Sequence, residues 1–300
     1  MRKTITLGNG LQIGGDGFVV MAGPCAVESR ELLLRAAEAV AAAGATVLRG
    51  GAFKPRTSPR SFQGLGEAGL LLLAEASRLT GLPVVTEVLD PRDVPLVAAH
   101  ASILQVGSRN MQNFPLLREV GRQGRPVLLK RGAAATLDEL LLAADYILQE
   151  GNGNVILCER GVRGFDPSTR YVLDLCAVPV LRQRTDLPIV VDPSHGTGDA
   201  SLVPAMAKAA LVAGADGLLV EVHAAPEQAL CDGKQALRPG DFAALTAELR
   251  RLVPLCGRRW SRASLQGHLD PASGGNTGGA QPRRAGSSPV GSLDDEVIAP

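Results

Sequence analysis

The chain has 300 residues, of which 45% are hydrophobic and 20% are charged, as in an ordinary water-soluble globular protein. Its 31 lysines and arginines nearly balance its 30 aspartates and glutamates, so no net charge favours binding to nucleic acid or to a membrane surface. No run of about 18 uncharged apolar residues is present, and the first residues lack the apolar core of a signal peptide. The sequence therefore predicts a cytoplasmic protein with neither kind of partner.

Cysteine usage agrees with that compartment. The five cysteines are odd in number and form no Cys-x-x-Cys pair, which argues against a disulfide framework. Most of them are expected to be small buried apolar residues. Cys25 is the exception, for reasons given below.

In chain order, the first predicted element is a small hairpin. Residues 4–13 place a Gly-Asn-Gly turn between two short apolar runs, and such a hairpin could close the bottom of a barrel.

Eight units of a β-rich apolar run and a helical segment then follow. The expected helices include 29–44, 136–151 and 239–253, and several begin at a Ser, Thr or Asp and end at a glycine. Near-continuous apolar strands that alternate with helices are typical of a covered parallel sheet. Eight units favour a closed (β/α)8 TIM barrel over an open doubly wound sheet. The predicted strands are 18–23, 46–50, 83–88, 102–107, 126–132, 154–161, 188–196 and 216–223.

The last part of the chain differs in composition. Residues 257–300 are rich in Gly, Ser and Pro and have few apolar anchors, so they bury too little surface to offset the entropy of ordering. We therefore expect one barrel domain over 1–256, including the hairpin, and a disordered tail over 257–300.

Charged side chains recur at the carboxyl ends of the predicted strands, where barrel enzymes build their active sites. Five cations in a nearly neutral protein would repel one another there unless an anion lay between them, and phosphate or carboxylate groups suit such a cluster. The alternative is that these cations pair with local acids such as Glu28, Glu87 or Asp192. The five cations are Arg49, Lys54, Arg109, Lys130 and Arg160.

A second set of residues follows strands one, seven and eight, which become neighbours when the barrel closes. Cys25, His195, Glu221 and Asp232 offer one thiolate, one imidazole and two carboxylates. This mixture suits a divalent first-row metal ion with a position left open for substrate. Taken singly, each residue is equally explained as a buried cysteine, a capping histidine or an exposed acid.

The glycines 64, 66 and 69 match the Gly-x-Gly-x-x-Gly pattern of dinucleotide-binding proteins. The pattern follows a polar loop instead of leaving a strand directly, and no ribose-binding acid stands at the usual distance. The required context is missing, so we do not expect a dinucleotide site.

Several long motifs run along the chain, namely AGPCAVES (22–29), LRGGAFKPRTSP (48–59), QVGSRNMQNFPLL (105–117), LLKRG (128–132), CERGVRGFDPSTR (158–170), VDPSHGTG (191–198) and EVHAAPEQALCDGKQAL (221–237). These motifs resemble those of 3-deoxy-D-arabino-heptulosonate 7-phosphate (DAHP) synthases, most closely the compact type I-beta class. The resemblance covers roughly residues 15–255. It implies the TIM barrel, a cytoplasmic homo-oligomer (a tetramer or dimer), and condensation of phosphoenolpyruvate with erythrose 4-phosphate at the start of the shikimate pathway.

The resemblance also implies roles for individual residues. It assigns Cys25, His195, Glu221 and Asp232 to a divalent metal, which manganese, iron, cobalt or zinc could supply. It assigns Arg49, Lys54, Arg109, Lys130 and Arg160 to phosphoenolpyruvate, and it assigns Pro55, Arg56, Thr57 and Ser58 to erythrose 4-phosphate. Lys54 is a candidate proton donor, and His195 and Cys25 complete the catalytic set. The chain departs from the family's usual residues at Cys231 and Ala236, where serine is common, and at Gly164, where threonine is common.

Two other functions deserve comparison. The sister synthase uses arabinose 5-phosphate to make an eight-carbon product, but it usually has a KANRTS-like loop where this chain has KPRTS (54–58). A catalytically silent scaffold barrel would have lost ligands, whereas all nine metal-ligand and cation candidates are present. Since about 17 residues precede the first barrel strand, we also expect no inhibition by aromatic amino acids.

Overall fold

The structure, a computed structural model, describes residues 2–262, and its strands follow the predicted order. Two short strands come first, β1 (Thr4–Thr6) and β2 (Gln12–Gly14). The eight barrel strands are β3 (Gly17–Gly23), β4 (Val47–Arg49), β5 (Val84–Glu87), β6 (Ile103–Val106), β7 (Val127–Lys130), β8 (Val155–Glu159), β9 (Ile189–Val191) and β10 (Gly217–Glu221).

The eight strands form a closed parallel barrel. Each strand from β3 to β10 pairs in parallel with the next one along the chain. The last strand, β10, also pairs in parallel with β3, in a register that runs from Gly217 opposite Val19 to Glu221 opposite Gly23. This closure confirms the TIM barrel and excludes the open doubly wound sheet.

Helices cover the outside of the barrel, and their ends follow local sequence signals. Ser29 accepts a hydrogen bond from the Leu32 N–H at the start of α1, and Thr136 and Glu139 form a capping box at the start of α5. No helix among residues 2–262 is long and apolar enough to cross a membrane. The helices are α1 (Arg30–Ala43), α2 (Glu67–Thr80), α3 (Val94–His100), α4 (Phe114–Arg122), α5 (Leu137–Gln149), α6 (Ala177–Arg184), α7 (Pro193–Thr197), α8 (Val203–Ala213) and α9 (Pro239–Leu255).

Alternation along the strands builds two apolar layers. On β3, Val19 and Met21 point into the barrel, whereas Phe18 and Val20 pack between the sheet and the helices. All four side chains are fully buried. Burial of one such side chain contributes about 1.5–3 kcal/mol relative to exposure, so both layers stabilise the barrel that carries the site.

The predicted N-terminal hairpin is confirmed. Strands β1 and β2 pair antiparallel, with Thr4 opposite Gly14. Ile5 and Ile13 are buried in the same apolar cluster as the inward-facing strand residues. The hairpin therefore closes the end of the barrel opposite the strands' carboxyl ends.

The predicted tail boundary at residue 257 is too early. Arg259–Trp260 forms a last short strand, β11, which pairs in parallel with β3. The Trp260 ring lies 6.2 Å from the Phe18 ring, and Arg258 forms an ion pair of 2.8 Å with the buried Asp216. An aromatic contact and a buried ion pair thus hold residues 258–260 in place, although their composition suggested disorder. Residues 263–300 of the expected tail lie outside the described residues.

Candidate active site

The carboxyl ends of the strands surround a cavity of about 730 Å³. Two further predicted residues lie beside it. Cys25 borders a small adjoining cavity with Arg49 and Lys54, and the buried Glu221 contacts Arg49 and His195, which line the main cavity. The structure thus brings every predicted site residue to one end of the barrel. Those that line the main cavity are Arg49, Lys54, Pro55, Arg56, Thr57, Ser58, Arg109, Lys130, Arg160, His195 and Asp232.

The four predicted metal ligands converge. One ligand atom from each of Cys25, His195, Glu221 and Asp232 lies within 4.8 Å of all the others. The Cys25 Sγ is 3.3 Å from Asp232 Oδ2, and the His195 Nε2 is 3.2 Å from Glu221 Oε1. A thiolate, an imidazole and two carboxylates at this spacing fit one divalent ion.

The carboxylates of this cluster are held in the charged form that a cation requires. Burial opposes ionisation of Asp232, yet His195 and Arg170 lower its pKa to about 2. Burial likewise opposes ionisation of Glu221, and the charges of His195 and Arg49 lower its pKa below the usual value. Three neighbouring basic side chains, His195, Arg170 and Arg49, thus favour the charged form of these carboxylates.

Asp192, which the sequence suggested only as a local acid, connects the metal ligands to the cation cluster. Its Oδ2 lies 2.7 Å from His195 Nδ1 and accepts a hydrogen bond of 2.5 Å from the Lys130 ammonium. Its Oδ1 accepts a hydrogen bond from the His195 backbone N–H. Although burial disfavours its charge, His195 and Lys130 hold the pKa of Asp192 well below the usual value.

Gln235 and Arg170 contact the carboxylates of Glu221 and Asp232, the two acidic members of the predicted ligand set. The Gln235 side-chain amide donates to Glu221 Oε2 at 2.7 Å, and its oxygen accepts from Arg170 Nη1 at 2.9 Å. The same Arg170 nitrogen lies 3.3 Å from Asp232 Oδ1. Gln235 is 2% exposed, so this link is shielded from water.

Two of the predicted anion-binding cations also contact the four predicted metal ligands. The Arg49 Nη1 donates to Glu221 Oε1 at 2.9 Å, and the Lys54 Nζ lies 3.1 Å from Cys25 Sγ. Burial opposes the charge on Lys54, but the sulfur groups of Cys25 and Cys231 raise its pKa above the usual value. Both cations are therefore charged at neutral pH. The alternative that the five cations pair with nearby acids holds for Arg49, which contacts Glu221, and for Lys130, which contacts Asp192.

Arg160 has unused hydrogen-bonding capacity. Its guanidinium stacks 4.1 Å above the Tyr171 ring, and its side chain is buried. The Arg160 Nη1 finds no hydrogen-bond partner within residues 2–262. A buried donor without a partner costs about 1–3 kcal/mol, and an anion in the cavity would remove that cost.

The loop between β4 and α2 carries the KPRTS segment. The Lys54 N–H donates to the Gln63 carbonyl at 3.0 Å and closes the loop on itself. The Arg56 guanidinium contacts the Cys231 sulfur across the cavity wall. Gly64 has a φ of 94°, and a Cβ there would lie 2.2 Å from the Ala52 carbonyl oxygen, so this glycine permits a tight turn. Gly64 of the apparent dinucleotide motif thus shapes this loop, and Gly69 of the same motif lies in α2.

Cys25 and Cys231 lie in direct contact. Their sulfur atoms are 3.3 Å apart, and both side chains are 3% exposed. The contact with Cys231 and burial raise the pKa of the Cys25 thiol well above its usual value. The same contact lowers the pKa of Cys231.

Sequence reasoning assigned no role to several residues that line or support the site. Arg163, Arg170 and Tyr171 line the cavity from the long segment after β8, and Asp192 and Gln235 lie behind its wall. The sequence did contain a signal for three of them. Arg163 and Arg170 belong to the motif over residues 158–170, and Asp192 lies three residues before His195. Gln235 gave no signal, because nothing in its neighbourhood indicates that its amide meets Glu221.

Comparisons with known proteins agree with this geometry. The model of the DAHP synthetase I family matches residues 3–254. A phospho-2-dehydro-3-deoxyheptonate aldolase from Thermotoga maritima is 51% identical over 253 residues, which are 84% of this chain and 75% of that protein. A 2-dehydro-3-deoxyphosphooctonate aldolase from Geobacter sulfurreducens is 33% identical over 272 residues, which cover 84% of this chain and 98% of that protein.

Solved structures give the same result. The crystal structure of the Thermotoga maritima aldolase, a DAHP synthase, has a TM-score of 0.84 at 50% identity, and the match covers 86% of this chain and 76% of that chain. A truncated form of the Thermotoga maritima synthase has a TM-score of 0.81 at 46% identity and covers 86% of this chain and 95% of its own. The chain belongs to the DAHP synthetase I family.

Proposed function

We propose that this protein is a DAHP synthase. It condenses phosphoenolpyruvate with erythrose 4-phosphate and water to give 3-deoxy-D-arabino-heptulosonate 7-phosphate and phosphate, the first step of the shikimate pathway to aromatic amino acids. The observation that carries this proposal is one cavity in which a row of cations meets a four-ligand cluster. Two phosphorylated substrates repel each other in water, and such a row of cations offsets that repulsion.

The donor set supports a divalent metal held by Cys25, His195, Glu221 and Asp232. Soft, intermediate and hard ligands together accept manganese, iron, cobalt or zinc. When bound, the ion would polarise and orient the aldehyde carbonyl as a Lewis acid. Asp192 fixes the His195 ring so that Nε2 faces the other ligands, and Gln235 does the same for Glu221.

The cation row binds phosphoenolpyruvate in this proposal. Arg109, Lys130 and Arg160 hold its phosphate and carboxylate groups, and the unpartnered Arg160 Nη1 supports this role most directly. Arg49 and Lys54 complete the row where it meets the metal cluster. This arrangement leaves C3 of the donor free to attack the aldehyde.

Residues 55–58 bind the aldehyde substrate. Pro55, Arg56, Thr57 and Ser58 line the cavity wall above Lys54. The Arg56 guanidinium, with the Thr57 and Ser58 hydroxyls, offers charge-assisted and neutral donors to a phosphate group. Bound there, a four-carbon sugar phosphate extends its aldehyde toward Lys54 and Asp232.

Lys54 supplies the proton that the new alkoxide needs. Its Nζ donates to the Cys25 carbonyl at 2.9 Å, which fixes the ammonium at the base of the cavity. Because its pKa is raised, the group is protonated before reaction. Water then adds at C2 of phosphoenolpyruvate, and the tetrahedral intermediate expels phosphate.

A second candidate is the reaction of the 2-dehydro-3-deoxyphosphooctonate aldolases, which use a five-carbon aldehyde. The 33% identity to the Geobacter sulfurreducens protein favours it, and the 51% identity to the Thermotoga maritima protein favours the four-carbon aldehyde. The KPRTS loop (54–58) also favours the four-carbon aldehyde.

Phosphate release tests the proposal. Purified protein should release phosphate only when phosphoenolpyruvate and erythrose 4-phosphate are both present, and the product should be a seven-carbon 3-deoxy acid by mass. Release from phosphoenolpyruvate alone, at the same rate, would indicate a phosphatase instead. The homo-oligomeric state and the cytoplasmic location stay predictions, and sedimentation of the pure protein measures the first.

A further inference from the structure

Two cysteines from distant parts of the chain meet at the metal cluster. Cys25 follows β3 and Cys231 lies in the loop after β10, 206 residues later, and their sulfur atoms are 3.3 Å apart. Cys25 is one of the four clustered ligands, whereas Cys231 is outside that set. In the proposed reaction Cys25 acts only as a metal ligand, and Cys231 has no role.

We propose that Cys25 and Cys231 form a reversible disulfide when the metal is absent and a peroxide is present. A disulfide has an S–S length of about 2.05 Å, so the sulfurs need to approach by about 1.3 Å from their present separation. Both cysteines lie in loops outside the strands, so side-chain rotation and loop adjustment supply that approach while the barrel strands stay in place. The bond would connect the first and last strands of the barrel through the loops at their carboxyl ends.

The chemistry balances with hydrogen peroxide as the two-electron oxidant. One thiol reacts with peroxide to give a sulfenic acid and one water. The other sulfur then attacks the sulfenic sulfur, the S–O bond breaks, and a second water leaves. Two S–H bonds are lost, one S–S bond forms, and peroxide is reduced to two waters.

A small oxidant can reach the pair from the cavity. Cys25 borders the small adjoining cavity, and Lys54, which lies 3.1 Å from its sulfur, lines both cavities. Cys231 contacts Arg56 and Asp232, which also line the main cavity. Peroxide therefore enters by the route that substrates use, and no unfolding is required.

The disulfide and the metal exclude each other. A cysteine binds a metal ion as its thiolate, and a sulfur in a disulfide cannot supply one. This half of the inference rests on the proposed metal site. Oxidation would thus remove the soft ligand and leave His195, Glu221 and Asp232, while a bound metal would shield Cys25 from peroxide.

The test uses the full chain, stripped of metal by chelation and treated with hydrogen peroxide. Trypsin digestion without reductant should then release one linked pair, residues 4–30 with 209–234, each of which contains a single cysteine. Dithiothreitol should separate the pair. Protein loaded with cobalt before treatment should give the linked pair much more slowly.

Two variants make the result specific. Cys231→Ser should give no linked pair and should still bind cobalt after peroxide. Cys176→Ser removes an exposed cysteine and should give the linked pair as the parent does. The oxidised parent should bind cobalt at least about a hundredfold more weakly, since losing only a ligand's hydrogen-bond partner costs roughly 10–100-fold.

Two outcomes would overturn the inference. If Cys176 is oxidised while the 4–30 and 209–234 peptides stay separate, the disulfide does not form. If the linked protein binds cobalt as tightly as the reduced protein, the disulfide and the bound metal do not exclude each other. Neither readout involves turnover, so failure of the proposed synthase activity would be seen separately.

Discussion

Asp192 holds His195 at two points. One carboxylate oxygen accepts from the His195 backbone N–H at 2.9 Å, and the other lies 2.7 Å from the ring Nδ1. With Nδ1 occupied, the ring presents Nε2 to Glu221, 3.2 Å away. The second oxygen also accepts from Lys130, so one buried acid sets the position of a proposed metal ligand and of a proposed substrate-binding cation together.

The first prediction concerns this acid. Asp192→Asn keeps the shape but removes the charge that fixes the His195 ring and pairs with Lys130. We expect metal affinity to fall by roughly 10–100-fold, and the KM for phosphoenolpyruvate to change because Lys130 loses its partner. Titration of metal against a chelating dye measures the first effect.

The matched control for Asp192 is Asp199→Asn. Asp199 is a loop aspartate that caps Ser201 beyond α7 and contacts neither His195 nor Lys130. It should leave metal affinity unchanged. Equal metal affinity in Asp192→Asn and the parent protein would show that His195 does not depend on this contact.

The second prediction concerns Gln235. Gln235→Leu removes the donor to Glu221 and the acceptor for Arg170. Because a buried carboxylate oxygen is left unpaired, we expect a loss of about 1–3 kcal/mol in the free energy of unfolding and weaker metal binding. Chemical denaturation and metal titration measure the two effects.

The matched control for Gln235 is Gln228→Leu, at an exposed position in the same loop. It should change neither quantity. If Gln235→Leu kept full metal affinity while losing stability, Gln235 would be a packing residue only.

The third prediction concerns Arg56. Arg56→Ala removes the guanidinium proposed for the phosphate of the aldehyde substrate. A hydrogen bond to a charged group contributes about 1.5–3 kcal/mol, so kcat/KM for erythrose 4-phosphate should fall by about 10–100-fold. The KM for phosphoenolpyruvate should change little, and steady-state kinetics in both substrates measure this difference.

The control is Arg60→Ala, an exposed arginine in the same loop that does not line the cavity. An equal loss in both variants would point to general electrostatic attraction. An Arg56→Ala variant with unchanged aldehyde kinetics would remove this residue from the binding site.

The fourth prediction concerns the metal and pH. Despite burial of the ring, Asp192 and Glu221 raise the pKa of His195 in the metal-free site, and the Cys25 pKa is also raised. Both groups must lose a proton to bind metal, so protons compete with the ion. Metal affinity should therefore rise with pH across the neutral range and fall as the pH is lowered.

Chelation should abolish turnover, and added manganese or cobalt should restore it. The melting transition should remain cooperative, because the apolar layers of the barrel do not include the metal. Cys25→Ala should lose metal and turnover together and still melt cooperatively. Full turnover in protein shown to be free of metal would contradict the assignment of all four ligands.

Much of the fold and of the candidate site was predictable from the sequence because it depends on local pattern. Strand ends such as Arg49 and Lys130 could be recognised from the apolar runs before them, and barrel closure then gathers them at one face. The hairpin was predictable for the same reason. A turn signal between two short apolar runs sets its register.

The remainder depends on long-range pairing, which no local pattern records. Arg49 meets Glu221 across 172 residues, and Arg131 is taken out of the cavity by Glu159 and Asp174. The order at Trp260 likewise comes from distant contacts with Phe18 and the end of α1. Which cation faces the cavity and which faces an acid is decided only when the loops fold together.

The most direct test of the central claim is the rate of phosphate release from phosphoenolpyruvate with each of two aldehydes, compared side by side. The cation-lined cavity and its KPRTS wall predict a clear preference for erythrose 4-phosphate over arabinose 5-phosphate in kcat/KM. Equal or faster turnover of arabinose 5-phosphate would contradict the account and assign the chain to the eight-carbon reaction.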